Sequence, residues 1–431
     1  MDNYACALQA FDLWGDVPVQ QTIDETTVTE HRPISQIDAT KPIEFEIKTA
    51  VDEYILFKET YAYFKVRVDI AKSPGSIEAN DWKKVSPVNN FMHSLISQID
   101  VQISNNIITL SPQTYAYKAY FETLLGFDDS AKKSHLTSVL WHKDITSKMD
   151  EPNESRSAFI ASSDETGKTL ELMGRLHIDL SFQGRAFLGG TELRLKLYPS
   201  KPEFCLMIKG NIKPVLYIES VSLFVRRAKV NPAVVQAHQQ ALATKPAKYP
   251  LTRGEVKRSI LKKGTIDASI ENVIAGKLPR RIFIAFVSNE SANGSFTKNP
   301  YNFKLYDISF LSCYINGHPF PAIPYQPSEG NTLREYFSFM DAANQTGTST
   351  YIDIDRTDYM NGFAIFGFNL SPDLSDGCGM AGHISAIREG SLRVQVVFKN
   401  ALPETVTMLT YCEFDSFLQI DANRNPVVDF L

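Results

Sequence analysis

The chain has 431 residues, of which 43% are hydrophobic and 22% are charged, and it carries a formal net charge of -5. This length accommodates two domains of about 200 residues or three smaller ones, and the composition is ordinary for a globular protein. The mild negative charge argues against a dedicated nucleic-acid binder, which needs a clear basic excess to contact phosphates, but it leaves room for a local basic patch.

The first half of the chain shows strand periodicity that is interrupted by one short helix. Residues 1–40 are polar with little periodicity, which indicates an extended N-terminal arm. Alternating apolar and polar residues then predict strands with one buried and one exposed face, at 42–49, 62–70, 95–104, 174–182, 192–198 and 215–227. Between the third and fourth strands, apolar residues at helical spacing predict a helix, with Tyr117, Tyr120, Phe121, Leu124 and Leu125 on one stripe. We expect long loops in the mixed, polar residues 126–170.

A helical connection is predicted between the two halves. Asn231 is suited to cap a helix, Pro232 suits its first position, and Lys245-Pro246 ends it. This helix lies within a predicted linker of residues 229–250.

The second half repeats the order of events in the first, although residue identity is low. LISQIDVQIS (95–104), followed by Asn105-Asn106, resembles YDISFLSCYI (306–315), followed by Asn316-Gly317. The matched strands are 42–49 with 255–264, 62–70 with 280–289, 95–104 with 306–315, 174–182 with 361–370, 192–198 with 391–400, and 215–227 with 405–420. An aromatic helix at 333–340 takes the place of the first helix. The long period of this repeat indicates a duplicated domain and not a solenoid.

These patterns predict an all-β protein of two consecutive eight-stranded antiparallel jelly rolls. Short helices lie in the loops between strands, and a helical linker joins the halves. Two facing sheets bury one side of each strand, and eight strands with Greek-key crossings form a jelly roll. The alternation alone does not separate a jelly roll from other sandwiches, but the helix in the middle of each half favours it. The predicted boundaries are 1–40 for the arm, 41–228 for the first jelly roll, 229–250 for the linker and 251–431 for the second jelly roll.

Several long segments resemble the hexon-like major capsid proteins of animal Polinton/Maverick elements and adintoviruses. The resemblance extends from about residue 40 to the end of the chain and is carried by residues 89–127, 131–144, 230–257, 294–327, 368–377 and 410–430. It implies a homotrimer of pseudo-hexagonal outline, with trimers that tile an icosahedral virion capsid. Implied partners are neighbouring capsomers and a penton protein with a single jelly roll. The loop around residues 375–390 departs from the family pattern, which puts one tower or contact loop in doubt.

Motifs that would support an enzyme are missing from the sequence. There is no GxxxxGK[ST], GxGxxG, GxSxG or HExxH motif, and no His-x-His pair, which a cupin-type metal site would favour. His177 falls on the polar face of the predicted strand 174–182, so we expect it to be exposed. We therefore predict no enzyme activity and no cofactor. A metal-dependent jelly-roll enzyme is the least supported hypothesis.

Cysteine usage and hydropathy also favour a chain without disulfides or membrane spans. Cys6, Cys205, Cys313, Cys378 and Cys412 form no CxxC pair, so the sequence offers neither a zinc ribbon nor a redox motif, and we expect free thiols. The first residues lack a basic segment followed by an apolar core, so we expect no signal peptide. No stretch approaches the roughly 18–20 apolar residues that a membrane span needs.

Two carboxylates are weak candidates for a metal site. In YIDIDRTDY, Asp353 and Asp355 would lie on one face of a strand, with Asp358 nearby. Carboxylates two residues apart could hold a hard cation such as calcium, and charges on the exposed face of a strand explain them equally well.

Eight residues of a basic segment between residues 226 and 263 form the candidate contact site. Its members are Arg226, Arg227, Lys229, Lys245, Lys248, Arg253, Lys257 and Arg258. They form a solvated linker surface, a contact with a subunit or penton, or an inner patch that touches packaged DNA without sequence preference. The hypothesis that competes with a capsid role is a glycan- or protein-binding double β-sandwich.

Overall fold

The computed structural model describes residues 19–38, 41–71, 81–108, 113–163, 166–327, 331–347, 351–372, 374 and 388–428. The strands of the first half are β1 (Ile23–His31), β2 (Ile43–Lys48), β3 (Glu53–Ile55), β4 (Tyr61–Ala71), β5 (Val85–Pro87), β6 (Ile96–Ile103), β7 (Asn106–Ile107), β8 (Thr166–Gly174), β9 (Glu192–Pro199), β10 (Leu206–Ile208) and β11 (Lys213–Val230). Those of the second half are β12 (Ala247–Leu261), β13 (Asp267–Lys277), β14 (Arg281–Ser288), β15 (Ile308–Ile315), β16 (His318–Tyr325), β17 (Ile365–Asn369), β18 (Glu389–Phe398), β19 (Val406–Ile420) and β20 (Pro426–Val428).

Short helices lie in the connections between strands. They are α1 (Phe91–Ser94), α2 (Tyr115–Gly126), α3 (Asp129–Lys133), α4 (Glu154–Ile160), α5 (Pro202–Cys205), α6 (Pro232–Thr244), α7 (Asn289–Asn293), α8 (Leu333–Ala342) and α9 (Arg356–Met360). Turns of 3-10 helix occur at Phe57–Glu59, Trp82–Lys84, His135–Val139, Thr146–Lys148 and Asp179–Phe182. No helix in the described part of the chain is long and apolar enough to cross a bilayer.

The two halves share one sheet topology. In the first half, one sheet has the order β1-β11-β4-β8 and the other the order β2-β9-β6-β7. In the second half, the orders are β12-β19-β14-β17 and β13-β18-β15-β16. If the eight sandwich strands of each half are numbered along the chain, both halves read 1-8-3-6 and 2-7-4-5. Two four-stranded antiparallel sheets with these crossings form a jelly roll, so the predicted all-β double jelly roll is confirmed.

The matching hairpins that suggested the duplication hold the same place in both halves. In β6, Val101 and Ile103 are buried while the residues between them are partly exposed. A turn at Ser104-Asn105, both with positive φ, connects β6 to β7. Asn316-Gly317, again both with positive φ, connects β15 to β16. Asn and Gly tolerate these backbone angles, so the turn residues fix the hairpin register.

One of the predicted strand correspondences is wrong. Residues 255–264 lie largely in β12, which pairs with β19 as β1 pairs with β11, so their counterpart is β1 and not 42–49. The counterpart of β2 is β13, which the sequence pattern did not single out. Both overlooked strands, β1 and β13, are largely exposed and lie at sheet edges, so they lack clean alternation.

The fourth predicted strand of the first half, residues 174–182, begins where the corresponding strand β8 ends. Strand β8 ends at Gly174, and the residues after it are irregular before the turn at Asp179–Phe182. The inward residues of β8 are Leu170 and Leu172. Leu170 ends the range 126–170 for which loops are predicted, and Leu172 lies just after it. The predicted boundaries of the arm, the jelly rolls and the linker remain a proposal. In it, we now assign β1, which lies within the predicted arm, to the first jelly roll.

The two faces of β9 provide a test of the sandwich. Leu195 is 2% exposed, whereas the side chain of Lys196 is 29% exposed and its Nζ lies 3.1 Å from Glu44 Oε1. We expect Leu195→Ala to lower the free energy of unfolding by about 2–5 kcal/mol. Lys196→Ala should cost less than about 1 kcal/mol. Urea denaturation measures both, and equal losses would contradict the assignment of the inner face.

Candidate functional site

Helix α2 forms the junction between the two halves. The Phe121 ring lies between two rings of the second half, with centroids 5.6 Å from Phe303 and 5.3 Å from Tyr411, and nearly parallel to both. Tyr120 stacks on Tyr301 at 4.0 Å. The aromatic stripe predicted from the sequence is thus confirmed as a helix, and it packs against the other half of the chain. Offset stacking of this kind adds to the energy of apolar burial.

A buried polar network accompanies the aromatic stack. Lys118 Nζ lies 2.5 Å from Asp179 Oδ1 and 3.7 Å from Glu122 Oε1. Glu122 Oε2 lies 2.7 Å from His177 Nδ1, and His177 Nε2 lies 3.2 Å from Thr123 Oγ1. The prediction that His177 is exposed is wrong, since it is only 4% exposed. The segment that carries it leaves the sheet after β8 and folds over α2.

Burial shifts the protonation of this network. It lowers the pKa of His177 to about 3, helped by the positive charge of Lys118, so the imidazole is neutral near pH 7. Burial raises the pKa of Glu122 to about 8, although Lys118 opposes the shift. Burial alone would lower the pKa of Lys118, but Asp179 and Glu122 hold it above its usual value. The glutamic acid is therefore the group that titrates near neutral pH.

The second half meets this network closely at Gly254. A Cβ atom at this position would lie 2.6 Å from Glu122 Oε1, so a larger residue would displace the Glu122 carboxyl group from its present position. Beyond Gly254, Glu413 Oε2 lies 3.1 Å from Arg280 Nη2 and 2.7 Å from Arg281 Nη2. Burial would raise the pKa of Glu413, but the two guanidinium groups hold it below its usual value. These buried groups form a structural network of ion pairs and hydrogen bonds at the junction.

Loops of the first half form a second set of contacts with the second half. Asp150 accepts hydrogen bonds from the Asn299 backbone N–H (3.0 Å) and the Asn302 side chain (2.9 Å). Lys132 Nζ donates to the carbonyls of Leu124 (2.8 Å) and Ile352 (2.9 Å). These bonds hold parts of the first half against the second half outside the aromatic stack.

The two candidate metal ligands, Asp353 and Asp355, make contacts with other protein groups in the structure. The prediction that they lie on a strand is wrong, because residues 351–355 are irregular and α9 begins directly after them. Asp355 caps α9 and accepts a hydrogen bond from the Asp358 backbone N–H. Asp353 Oδ1 lies 3.5 Å from Lys143 Nζ. Within the described residues, no group of three or more His, Cys, Asp or Glu side chains is arranged to hold a metal ion.

Three of the candidate basic residues belong to β11. Arg226 Nε lies 2.9 Å from Glu59 Oε2, and Arg227 Nη1 lies 2.7 Å from Glu53 Oε2. Lys229 follows on the same strand and is exposed. The two arginines therefore hold β11 against β3 and the turn at Phe57–Glu59.

Four further candidates belong to β12 in the second half. Arg253 Nη1 lies 2.9 Å from Glu255 Oε2, and Lys257 pairs with the same carboxylate. Arg258 Nη2 donates to Asn293 Oδ1 at 2.9 Å. Lys248, near the start of β12, and Lys245, directly after α6, are exposed and, like Lys229, form no ion pair with any residue that the structure describes. The sequence thus grouped residues that the fold distributes over β11, the end of α6 and β12.

The thiols that the structure describes are buried. Cys205, Cys313 and Cys412 form no disulfide, and burial raises the pKa of each. Cys6 and Cys378 lie outside the described residues, as does most of the loop 375–390.

Truncation of Phe121 tests the junction. Phe121 is fully buried, and we expect Phe121→Ala to lower the free energy of unfolding by about 3–5 kcal/mol. The matched control is Phe159→Ala, because Phe159 is 44% exposed on α4 and its truncation should cost much less. Thermal and urea unfolding of both variants measure the difference. A small loss for Phe121→Ala would mean that the stack does not hold the halves together.

The pKa of Glu122 predicts a pH dependence. Between about pH 5 and 8 the folded protein keeps a proton on this carboxyl that the unfolded chain releases. The wild type should therefore lose stability as the pH rises through this range, by at most about 1.4 kcal/mol per pH unit from this group. Glu122→Gln keeps the neutral form, so its advantage over the wild type should grow up to about pH 8 and then level off.

Urea denaturation at a series of pH values measures this advantage. The control is Glu151→Gln, since Glu151 is exposed and its effect should not change over the same range. A difference between wild type and Glu122→Gln that is constant from about pH 5 to 8 would refute the assigned pKa.

Comparison with known proteins gives one sequence relative. No family model matches the chain. An uncharacterised protein of Caenorhabditis elegans is 27% identical over 402 residues, which are 90% of this chain and 93% of the relative. The similarity therefore extends over nearly the full length of both proteins.

Solved structures of viral proteins have the same fold. A chain in the cryo-EM structure of the Sputnik virophage matches with a TM-score of 0.61 and 9% identity, over 100% of this chain and 93% of that one. The Faustovirus major capsid protein matches with a TM-score of 0.59 and 8% identity, over 95% and 93%. The mavirus major capsid protein matches with a TM-score of 0.55 and 11% identity, over 100% and 96%. The described part of the chain therefore has the double jelly-roll fold of these viral proteins.

Proposed function

We propose that the chain is a structural, non-enzymatic major capsid protein that forms hexon-like trimers. The observation that carries the proposal is the pair of jelly rolls with identical topology, which together span the described chain. The near-complete coverage of solved viral capsid chains supports it. Three such chains place six jelly rolls around one axis, which gives a trimer its pseudo-hexagonal outline. Trimers of this outline tile an icosahedral shell.

The two equivalent helices support closure into a trimer. Both α2 and α8 lie between the fifth and sixth sandwich strands of their half. Helix α2 is buried against the next jelly roll of the same chain. Helix α8 instead leaves Leu333 (52%) and Phe337 (60%) exposed, one turn apart on one face. If α8 packs against the first jelly roll of the next chain as α2 packs within the chain, the ring closes after three chains.

The narrower assignment is to the capsid proteins of animal Polinton/Maverick elements and adintoviruses. The residues that resemble this family support it, and so does a full-length relative in an animal. Under this assignment, the protein would be located in the virion capsid, which would be assembled inside the host cell. Its partners would be neighbouring capsomers and a penton protein with a single jelly roll. Lys229, Lys245 and Lys248, which are exposed, are the candidates for contacts with a neighbouring subunit or with packaged DNA.

Light scattering combined with negative-stain imaging tests the proposal. We expect a particle of about 145 kDa, three times the chain mass of 48.4 kDa, with a hexagonal outline. A chain that stays monomeric at high concentration would contradict a capsid role. If that monomer also bound to a glycan array, the glycan-binding sandwich would become the better hypothesis.

Substitution of Phe337 tests the proposed contact. Phe337→Asp should give monomers with unchanged thermal stability, because Phe337 is exposed within one chain and would be buried between chains. Ile145→Asp is the matched control, since Ile145 is similarly exposed (58%) in a loop of the first half. Sedimentation velocity should give trimers for the control. Trimers for Phe337→Asp would mean that α8 is not the contact.

A further inference from the structure

A cavity of about 360 Å³ opens at the seam between the two jelly rolls. The first half contributes the start of α2 and the residues around α5, and the second half contributes β12 and α7. Its walls combine the aromatic rings of Tyr117 and Phe204 with polar side chains such as Ser97 and Asn293. The volume lies in the range of ordinary small-ligand sites.

The charged side chains in this cavity are both basic. Lys201 and Arg258 line it, and no Asp or Glu does so among the residues that the structure describes. Arg258 uses Nη2 to contact Asn293 Oδ1 and the carbonyl of Ala292. Its Nε and Nη1 donate to no described residue, and Lys201 is exposed without a carboxylate partner in the described chain. Several cationic donors are thus left for a ligand.

The N-terminus of α2 adds to this positive potential. Gln113 and Ala116, on either side of the helix start, line the cavity. The N-cap residue Thr114 makes no capping hydrogen bond through its side chain, and its buried Oγ1 has no partner. A helix begins with unpaired N–H groups and a partial positive charge, which attract anions.

The hydroxyl of Tyr117 is a further unpaired donor beside the cavity. Tyr117 is 2% exposed and lines the cavity, yet its hydroxyl has no hydrogen-bond partner in the described structure. Buried hydroxyl groups almost always have one. Burial raises the pKa of Tyr117, with Arg258 near enough to oppose the shift, so the phenol stays protonated and able to donate.

We propose that this cavity binds an oxyanion, a phosphate or a carboxylate, between Arg258, Lys201 and the Tyr117 hydroxyl at the start of α2. All three groups donate hydrogen bonds, and the planar guanidinium matches the oxygen pairs of both anions. Arg258 belongs to the second half, whereas Tyr117 and Lys201 belong to the first. A bound anion therefore bridges the two jelly rolls and stabilises their junction. The proposal does not depend on the capsid function.

Titration calorimetry with inorganic phosphate and with acetate, at constant ionic strength, tests the site. We expect one anion per chain and a rise in the thermal unfolding temperature that follows the occupancy. Tyr117→Phe should weaken binding several-fold without lowering the stability of the anion-free protein, because the hydroxyl has no partner to lose. Arg258→Gln should weaken binding by about tenfold or more.

The control is Lys262→Gln, which removes an exposed charge near the end of β12 without touching the cavity. Its affinity should equal that of the wild type. Tighter binding of phosphate or of acetate identifies the anion. The proposal is overturned if neither anion binds, or if Tyr117→Phe and Arg258→Gln bind as the control does. If Arg258→Gln does not fold, Tyr117→Phe and Lys201→Gln decide the question in the same way.

Discussion

The burial of Phe121 between Phe303 and Tyr411 is the contact on which the rest of the architecture depends. Each jelly roll closes its own sandwich, and most strands pair only within their half. What sets the angle between the sandwiches is one helix whose aromatic side chains enter the other half. Because stacked rings bury large areas with few rotatable bonds, the helix holds this angle at a small cost in conformational entropy.

The polar groups around the stack give the junction its register. Stacked rings can slide over one another with little change in energy, whereas hydrogen bonds and ion pairs require a single arrangement. Lys118 and Glu122 leave the helix toward His177 and Asp179, and Gly254 lets the strand of the second half approach them. Buried ionic groups are weak contributors to net stability but can specify one geometry among several. In this protein they would oppose any rotation of one jelly roll against the other.

The sequence predicted the fold wherever local periodicity records burial. Val101 and Ile103 alternate with polar residues because one face of β6 lines a core, and the same reasoning held for β9, β18 and β19. It missed β1 and β13, whose exposed edges give no alternation. The site was harder to predict, since His177 is buried by a helix some fifty residues away in the chain. A charged residue on a helix, such as Glu122, is also expected from sequence to face solvent. Only the packing of the second half against α2 shows that it is buried.

Helix α2 packs within one chain, whereas α8 lies at the surface of the chain. Folding of one chain and association of chains would therefore use the same type of helix contact. Helix α6 tethers the halves, so the α2 contact forms at a high effective concentration that dilution of the protein does not change. In the proposed trimer, the equivalent contact through α8 has no tether, and its occupancy would follow the amount of protein present. Duplication within one chain would then let each subunit fold completely while it is dilute. Assembly would be delayed until the chain has accumulated.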